Sequence, residues 1–562
     1  MKYRRFHTCF RASTFCGVFF LVVASVSAEE FRRLSLEDYR DKMAGGWIGQ
    51  MAGVGWGGPT EFKWKGEIIP EEKMPKWEPA LINQFHQDDI YVEMTFLRTL
   101  EVHGWDVSIR QAGIDFANSG YPLWHANRAG RDNLRAGIAP PDSGHPEFNR
   151  HADDIDYQIE ADYAGLIAPG MPNVAIQLGE KFGRLMNHGD GLYGGQFVSG
   201  MYTEAFFEND PMTIVEAGLD CIPAGSQYAE CIRDTIRWYK QHPDDWKQTW
   251  EKIEAKYQDN PDYRRFSCSR GEFNIDAKIN GAYIVMGLLY GNKDMDQTII
   301  ISTRCGQDSD CNPSNAGGVL GTVMGRRNLP EKFTSAIDPN GKFSHTPYTF
   351  PALVTVSEKL ARQAVRRAGG RVEKDSSGKE VLAIPVEKPN PSPLEQCWEP
   401  GPPAGTGYTQ QEMEKITGGS VEQDIQAAVD DVLPGWNISK CGPDMDPGKR
   451  DQYKGRDNVL VTHPLNRHVA CVLGKTVDVP AEQSTLRLIV THDTRGDWLL
   501  VAKADGKRIL TRKIDPETVA DDWATVDLDL SEWAGESVKV ELLNQADDWS
   551  FEAGYWAEIS WK

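Results

Sequence analysis

The stretch Gly45-Gly46-Trp47-Ile48-Gly49-Gln50-Met51-Ala52-Gly53 is part of a helical spacing of apolar residues. This spacing indicates the fold class of the N-terminal region. Ser35-Leu36-Glu37-Asp38, just before it, has the form of a helix-capping box. Apolar side chains then recur every four residues, at Tyr39, Met43, Trp47 and Met51. This spacing predicts a helix that begins near Leu36 and buries one face.

The same helical period continues to about residue 368, and alternating strand patterns are scarce in this region. Further helices are predicted at roughly 89–102, 174–186, 226–240, 275–290, 294–303, 313–324 and 356–368. We therefore expect one large all-α domain at residues 29–370.

The C-terminal region has a different pattern. A Pro-rich stretch lies within residues 371–455 and is typical of a semi-rigid linker. Beyond it the apolar period changes to two, as in Leu486, Leu488 and Val490, and Asp505-Gly506 indicates a hairpin turn. These features predict an all-β sandwich, resembling a jelly roll, at residues 456–562. The chain is thus expected to be multi-domain.

Charge and the first residues limit the function classes. Lys and Arg number 61 against 82 Asp and Glu, so the net charge of −21 disfavours nucleic acid as a partner. Residues 1–28 combine basic side chains, a short apolar run and a small residue before Glu29, which is typical of a signal peptide. The later sequence has no long apolar stretch, so no membrane span is expected. The sequence predicts a secreted or periplasmic protein of undetermined oligomeric state.

Two acidic clusters, more than 200 residues apart, each precede a predicted helix. They are Gln87-Asp88-Asp89 and Gly306-Gln307-Asp308-Ser309-Asp310-Cys311-Asn312. Each taken alone is typical of helix capping. Together they offer the several carboxylate oxygens that a pair of hard divalent cations requires.

These motifs resemble those of the ADP-ribosylglycohydrolase family. The resemblance rests on a Gly-rich helix leading to Pro59-Thr60-Glu61, on Asp88-Asp89, and on Gly306-Gln307-Asp308-Ser309-Asp310 before a Gly-rich helix. The stretch 193–200 is similar as well. The resemblance implies an all-α fold, two divalent cations, most often Mg²⁺, and hydrolysis at an anomeric carbon. Mn²⁺ and Ca²⁺ are the alternatives.

The resemblance also implies roles for single residues. Asp88, Asp89, Asp308 and Asp310 would be metal ligands. Gln87 and Cys311 stand where many members have a metal-binding Thr, so they are candidate ligands too, although sulfur suits a hard cation poorly. This difference leaves the metal identity open.

Proton transfer requires a further group beside the metals. Glu61 matches the Pro-x-Glu motif and is the candidate acid, base or water-orienting residue; a solvated loop glutamate is the alternative. Glu160 is the candidate second carboxylate, with Asp162 as the alternative, since glycoside hydrolysis normally uses two. Most of the acidic run at 153–162 is expected to be surface charge. Residues 118–150 are expected to be irregular, with Trp124 a candidate for stacking and Arg128 and Arg131 for phosphate binding.

The resulting hypothesis is an exported dimetal hydrolase that cleaves a glycosidic bond in an ADP-ribosyl conjugate, a glycan or another small glycoside. The alternative is a catalytically inactive, metal-stabilised glycan-binding protein, which the unusual Gln87 and Cys311 would suit. Several Trp residues in the C-terminal region fit either a glycan-binding surface or a sandwich core.

Overall fold

The computed structural model describes Met1 and residues 30–82, 87–263, 275–416, 421–442, 444–465, 467–519 and 521–562. Nearly all of the predicted signal peptide lies outside the described residues. Within them, no helix is both long enough and apolar enough to cross a lipid bilayer.

The N-terminal region is helical, which confirms the predicted fold class. Its helices are α1 Leu36–Gly57, α2 Asp88–His103, α3 Ile109–Ala117, α4 His125–Arg135, α5 Asp156–Ile159, α6 Asp162–Leu166, α7 Pro172–Phe182, α8 Asp190–Ala205, α9 Pro211–Leu219, α10 Gln227–Gln241, α11 Trp246–Ile253, α12 Ala277–Tyr290, α13 Met295–Arg304, α14 Cys311–Met324, α15 Glu331–Thr334 and α16 Phe350–Arg367. Ser35 caps α1 as predicted, because its hydroxyl accepts the Asp38 amide at 3.0 Å.

Helices α1 and α14 lie against each other at the centre of this domain. A Cβ atom on Gly49 would lie 2.1 Å from the Gly317 carbonyl oxygen, far inside van der Waals contact. Glycine therefore lets the two backbones touch, and the largest buried side chains of α1, such as Trp47, pack into the surrounding apolar core.

A small antiparallel sheet and the Pro-rich stretch cover the helical domain. The sheet has the order β1-β3-β2, formed by β1 Phe31–Ser35, β2 Arg371–Lys374 and β3 Glu380–Pro385. The Pro-rich stretch then follows the helical surface, where the Cys397 thiol donates to the His188 carbonyl at 3.2 Å. Two short helices follow, α17 Gln410–Met413 and α18 Val421–Val432.

The C-terminal region consists of two antiparallel sheets, as predicted. In the described part of the chain the sheets have the orders β10-β9-β12-β7-β4 and β11-β8-β13-β6-β5. The strands are β4 Asn437–Ser439, β5 Gly448–Tyr453, β6 Arg456–Thr462, β7 Cys471–Asp478, β8 Thr485–His492, β9 Trp498–Ala504, β10 Lys507–Ile514, β11 Ala524–Asp529, β12 Ser537–Gln545 and β13 Gly554–Trp561. Trp498 and Trp556 are fully buried, with ring centroids 5.1 Å apart, so these two residues belong to the core.

One prediction about the helical domain is wrong. Residues 118–150 are not irregular throughout, because α4 runs through them from His125 to Arg135. The helix is strongly polar, and only Ala126 and Leu134 supply buried apolar side chains. Its apolar face is therefore too narrow to be recognised from hydrophobic spacing.

Candidate active site

Two loops that are far apart in sequence are joined directly beneath the site. The Phe62 amide donates to the Gln307 carbonyl at 3.2 Å, and the Gln307 amide donates to the Trp64 carbonyl at 2.8 Å. The Thr60 and Ser309 hydroxyls add a buried hydrogen bond of 2.9 Å. These contacts hold Glu61 next to the segment that carries Asp308 and Asp310.

The C-terminal end of α1 is shaped to accept this segment. A Cβ atom on Gly57 would lie 2.1 Å from the Ser309 carbonyl oxygen, so a larger residue would displace the acidic loop. The Thr60 hydroxyl also donates to the Gly57 carbonyl at 2.7 Å. The Gly-rich end of α1 thus positions both the loop that carries Glu61 and the loop that carries Asp308 and Asp310.

Five side chains form two overlapping groups of possible metal ligands. Glu61, Asp308 and Asp310 form one group, and Asp89, Asp310 and Cys311 form the other. Within each group the ligand atoms lie within 4.8 Å of one another. Asp310 belongs to both groups, so two cations bound here would be neighbours that share its carboxylate.

The carboxylates of this cluster are buried and incompletely hydrogen-bonded. Among the described residues, one oxygen on each of Asp89, Asp308 and Asp310 is buried without a hydrogen-bond partner. Burial, followed by the neighbouring negative charges, raises the pKa of Asp89 and of Asp308 well above the usual range. Such crowding is unfavourable without positive charge.

Divalent cations would resolve that crowding. Carboxylate oxygens are the ligands that Mg²⁺, Mn²⁺ and Ca²⁺ prefer, and the unpartnered oxygens of Asp89, Asp308 and Asp310 are the atoms available to bind them. The residues present therefore fit the metal centre that the sequence predicts, with Glu61 at one end.

Cys311 lies in the cluster as predicted, but its chemistry differs from that of a metal ligand. Its thiol donates to the Asp89 carboxylate at 3.2 Å. Burial, together with Asp308 and Asp310, raises the pKa of Cys311 well above its usual value, so the sulfur keeps its proton. The geometry therefore favours Cys311 as a hydrogen-bond donor that orients Asp89.

Gln87 and Asp88 belong to neither of the two ligand groups found among the described residues. Gln87 precedes α2, and its carbonyl accepts the amides of Ile90 and Tyr91 at 3.1 Å. Asp88 lies close enough to the cluster that burial and the charge of Asp310 raise its pKa to about 6. Asp88 thus faces the site, whereas Gln87 is placed through its backbone.

Glu61 is well suited to hold a proton near neutral pH. The residue is partly open to solvent, yet desolvation of its carboxyl, followed by the charges of Asp310 and Asp88, raises its pKa to about 8. A carboxylic acid of this kind can donate a proton to a departing oxygen. Its place in the cluster argues against a merely solvated loop residue.

The acidic run at 153–162 is not surface charge, and that prediction is wrong. Asp153, Asp154, Asp156, Glu160 and Asp162 are all buried. Each is held by contacts with distant elements, which no local pattern reveals; Asp162, for instance, accepts hydrogen bonds from the Tyr202 hydroxyl and from the Asn315 amide. This run forms a buried wall of the site.

Glu160 occupies that wall next to the metal-ligand candidates. One oxygen accepts a short hydrogen bond from the Asn127 side-chain amide, and the other is buried without a partner among the described residues. Burial, followed by the charges of Asp156, Asp88 and Asp89, raises the pKa of Glu160 well above the usual range. Glu160 is thus a second protonatable carboxyl facing the cluster.

The two candidate arginines of α4, Arg128 and Arg131, are engaged elsewhere. Arg131 donates to the carbonyls of Tyr121 at 2.7 Å and Ser119 at 3.2 Å, which ties α4 to the preceding loop. Arg128 pairs with Asp444 at 3.5 Å. Neither contact leaves a guanidinium directed at a phosphate, whereas Trp124 is half exposed as a stacking residue must be.

Sequence reasoning missed a further cluster. His125, His151 and Asp154 bring two imidazole nitrogens and a carboxylate oxygen within 4.8 Å of one another. His125 and His151 are 26 residues apart in the sequence, and no motif connects them. They come together only because the turn at 151–154 lies beside the start of α4.

Comparison with known proteins completes the description. A comparison with curated proteins gave no match. A solved structure described as an ADP-ribosylglycohydrolase-related protein complex aligns with 58% of this chain and 100% of its own, at 13% identity and a TM-score of 0.36. The family model for ADP-ribosylglycohydrolase matches residues 35–371, which is more than half of the chain. The chain therefore belongs to the ADP-ribosylglycohydrolase family.

Proposed function

We propose that this chain is an exported, divalent-metal-dependent hydrolase that cleaves a glycosidic bond at an anomeric carbon. Family membership supports hydrolase activity. The observation that carries the finer proposal is that Glu61 lies in one of two groups of possible metal ligands, and that the two groups share Asp310. Export rests on the sequence of residues 1–28 alone, and implies a secreted or periplasmic enzyme.

Asp89, Asp308 and Asp310 would hold the cations, most plausibly two Mg²⁺, with Asp88 as a further ligand. Bound divalent cations at such a centre polarise substrate oxygens and lower the pKa of water. Cys311 orients Asp89 through its thiol, and the Thr60–Ser309 hydrogen bond keeps the two loops in register.

Glu61 supplies the mobile proton. Its carboxyl lies beside Asp310 and is partly open to solvent, so it can exchange a proton with the oxygen that leaves the anomeric carbon or with the attacking water. Glu160, in the buried acidic run beside the cluster, is the candidate for the second carboxyl, which glycoside hydrolysis uses to activate water or stabilise the sugar cation.

The charges around the site favour a neutral sugar over an ADP-ribosyl group. Asp88, Asp156, Glu160 and the metal-ligand candidates face one another, and the described arginines of α4 are bound to carbonyls or to Asp444. A pyrophosphate would meet this acidic wall, and the arginines of α4 are already engaged in other contacts. We therefore favour a glycan or small glycoside as the substrate, with Trp124 stacking on a sugar face.

The test is a hydrolysis screen with the full chain on aryl glycosides and on ADP-ribosyl conjugates. Turnover should require added Mg²⁺ or Mn²⁺, disappear with chelator, and fall at least about 100-fold in Glu61→Gln. Glu67→Gln, which alters an exposed glutamate of the same loop, is the matched control and should keep full activity.

Two results would contradict the proposal. One is turnover that persists unchanged in chelator and in Glu61→Gln. The other is tight binding of a glycoside that the protein does not cleave with any added metal, which would indicate a glycan-binding protein.

A further inference from the structure

Two histidines meet one buried aspartate beside the carboxylate cluster. His125 Nδ1 lies 3.2 Å and His151 Nδ1 lies 3.1 Å from the same oxygen, Asp154 Oδ2. The imidazole rings are 5.1 Å apart and nearly perpendicular, at 82°. Three ligand-type atoms, from the start of α4 and from the turn at 151–154, thus converge on one point.

This convergence is fixed by the surrounding backbone. Asp156 accepts the amides of Ala126 at 3.3 Å and Asn127 at 2.9 Å, which anchors the start of α4 directly after His125. Asp154 forms a β-bridge with Asp276, at the start of α12. The ligand atoms are therefore held by two helix starts and a turn, and a cation would need to move them little.

From these contacts we infer that His125, His151 and Asp154 form a binding site for a divalent metal ion of the Zn²⁺ class. This site is separate from the carboxylate cluster. Ligands about 2.0 Å from a tetrahedral Zn²⁺ lie about 3.3 Å apart, close to the two distances found here. Two imidazole nitrogens with one carboxylate favour Zn²⁺, Co²⁺ or Ni²⁺ over Mg²⁺.

The charge of the pocket supports a cation. Asp154 is fully buried, and its Oδ1 has no hydrogen-bond partner among the described residues. Asp153 and Asp276 are buried next to it, and Lys278 forms a short ion pair with Asp276. A bound cation would offset the remaining negative charge.

The site is open to an ion from solvent. The His125 side chain is 27% exposed and that of His151 is 14% exposed, which leaves room for water to complete the coordination. Arg150 Nε donates to His151 Nε2 at 3.1 Å, so the ion-free His151 carries its proton on Nδ1. Binding would therefore require the His151 proton to move from Nδ1 to Nε2, which turns the exposed Arg150 away from the ring.

The two metal centres would be neighbours without shared ligands. His125, His151 and Asp154 belong to neither of the two carboxylate groups found among the described residues, and Trp124 directly precedes His125 in the chain. An ion on His125 and His151 would therefore stabilise the wall that presents Trp124, while the carboxylate cluster keeps its own cations. This assignment does not depend on the proposed hydrolase activity.

The experiment is a titration of the full, chelator-treated chain with Zn²⁺ and with Co²⁺ in excess Mg²⁺. His125→Ala/His151→Ala should bind one Zn²⁺ fewer per chain than the unmodified protein and lose the visible Co²⁺ absorption of a nitrogen-ligated site. Each single variant should weaken binding at least about tenfold. His103→Ala is the matched control, because His103 also contacts one carboxylate, at 3.1 Å from Asp115, but has no second imidazole.

The inference is overturned if the double variant and the unmodified chain bind Zn²⁺ with the same stoichiometry and affinity. It is equally overturned if the unmodified chain gives no nitrogen-ligated Co²⁺ spectrum. Circular dichroism of the metal-free variants separates a lost ligand from a lost fold. Asp308→Asn should retain the Co²⁺ spectrum even where it abolishes hydrolysis, so this site and the hydrolase proposal fail independently.

Discussion

The hydroxyls of Thr60 and Ser309 lie 2.9 Å apart, buried beneath the carboxylate cluster, and join the loop of Glu61 to the loop of Asp308 and Asp310. These residues are 249 positions apart in the chain. The distance between the proton donor and the metal ligands therefore depends on this contact and on the paired backbone amides beside it.

Thr60→Val tests this contact. Loss of the two buried hydrogen bonds of the Thr60 hydroxyl, to Ser309 and to the Gly57 carbonyl, should cost about 2 kcal/mol of folding stability, and the looser loop should lower turnover by about tenfold or more. The measurements are chemical denaturation and initial rates on a responsive glycoside. Thr355→Val, on the exposed face of α16, is the control and should alter neither. Unchanged turnover in Thr60→Val would show that the loops are positioned by other contacts.

Cys311→Thr should strengthen metal binding. A hydroxyl is a harder ligand than a protonated thiol, and threonine is close in size to cysteine, so the hydrogen bond to Asp89 is retained. We expect the dissociation constant for Mg²⁺ to fall at least about threefold, measured by calorimetry. Cys311→Ala, which removes the donor, should weaken Mg²⁺ binding instead. Equal Mg²⁺ affinity in all three proteins would mean that residue 311 has no influence on the centre.

Gly49→Ala tests the contact between α1 and α14. Its Cβ atom would lie 2.1 Å from the Gly317 carbonyl oxygen, so the helices must separate, at a cost of about 3 kcal/mol in the free energy of unfolding. Gly58→Ala is the matched control, since nothing lies within 4 Å of its Cβ position. A stability of Gly49→Ala equal to that of the control would contradict the close helix contact.

His188 should make the fold sensitive to acid. Burial lowers the pKa of His188 to about 4, whereas an exposed histidine titrates near 6.5. Between these values the unfolded chain binds a proton that the folded chain does not, so stability falls as pH falls through this window. The contribution amounts to about 2 kcal/mol between pH 7 and pH 5.

Denaturant titrations at pH 7 and pH 5 check this prediction. His188→Gln should lose less stability between the two pH values than the unmodified chain, because it lacks the buried imidazole. His103→Gln, at an exposed histidine, should keep the full loss. An identical pH dependence in His188→Gln and the unmodified chain would contradict the assignment.

Local patterns predicted the parts of the fold that local interactions determine. Ser35 caps α1 and Asp505-Gly506 turns between β9 and β10, because capping and turn preferences depend on a few adjacent residues. Helix α4 was missed since its buried stripe is narrow and its surface is strongly polar.

Sequence motifs predicted only part of the candidate site. Asp89, Asp308 and Asp310 meet as expected, and Glu61 joins them. The burial of Asp153, Asp154 and Glu160 was not foreseen, because it depends on elements such as α4 and α12 that pack over them only in the folded domain. The same holds for the meeting of His125 with His151.

The central claim is a two-cation centre that shares Asp310, and calorimetric titration of the chelator-treated chain with Mg²⁺ tests it most directly. The unmodified chain should bind two Mg²⁺ per molecule. Asp310→Asn should weaken the binding of both ions at least about tenfold, because its carboxylate belongs to both ligand groups. Two ions bound by Asp310→Asn with the affinity of the unmodified chain, or no Mg²⁺ bound by either protein, would contradict it.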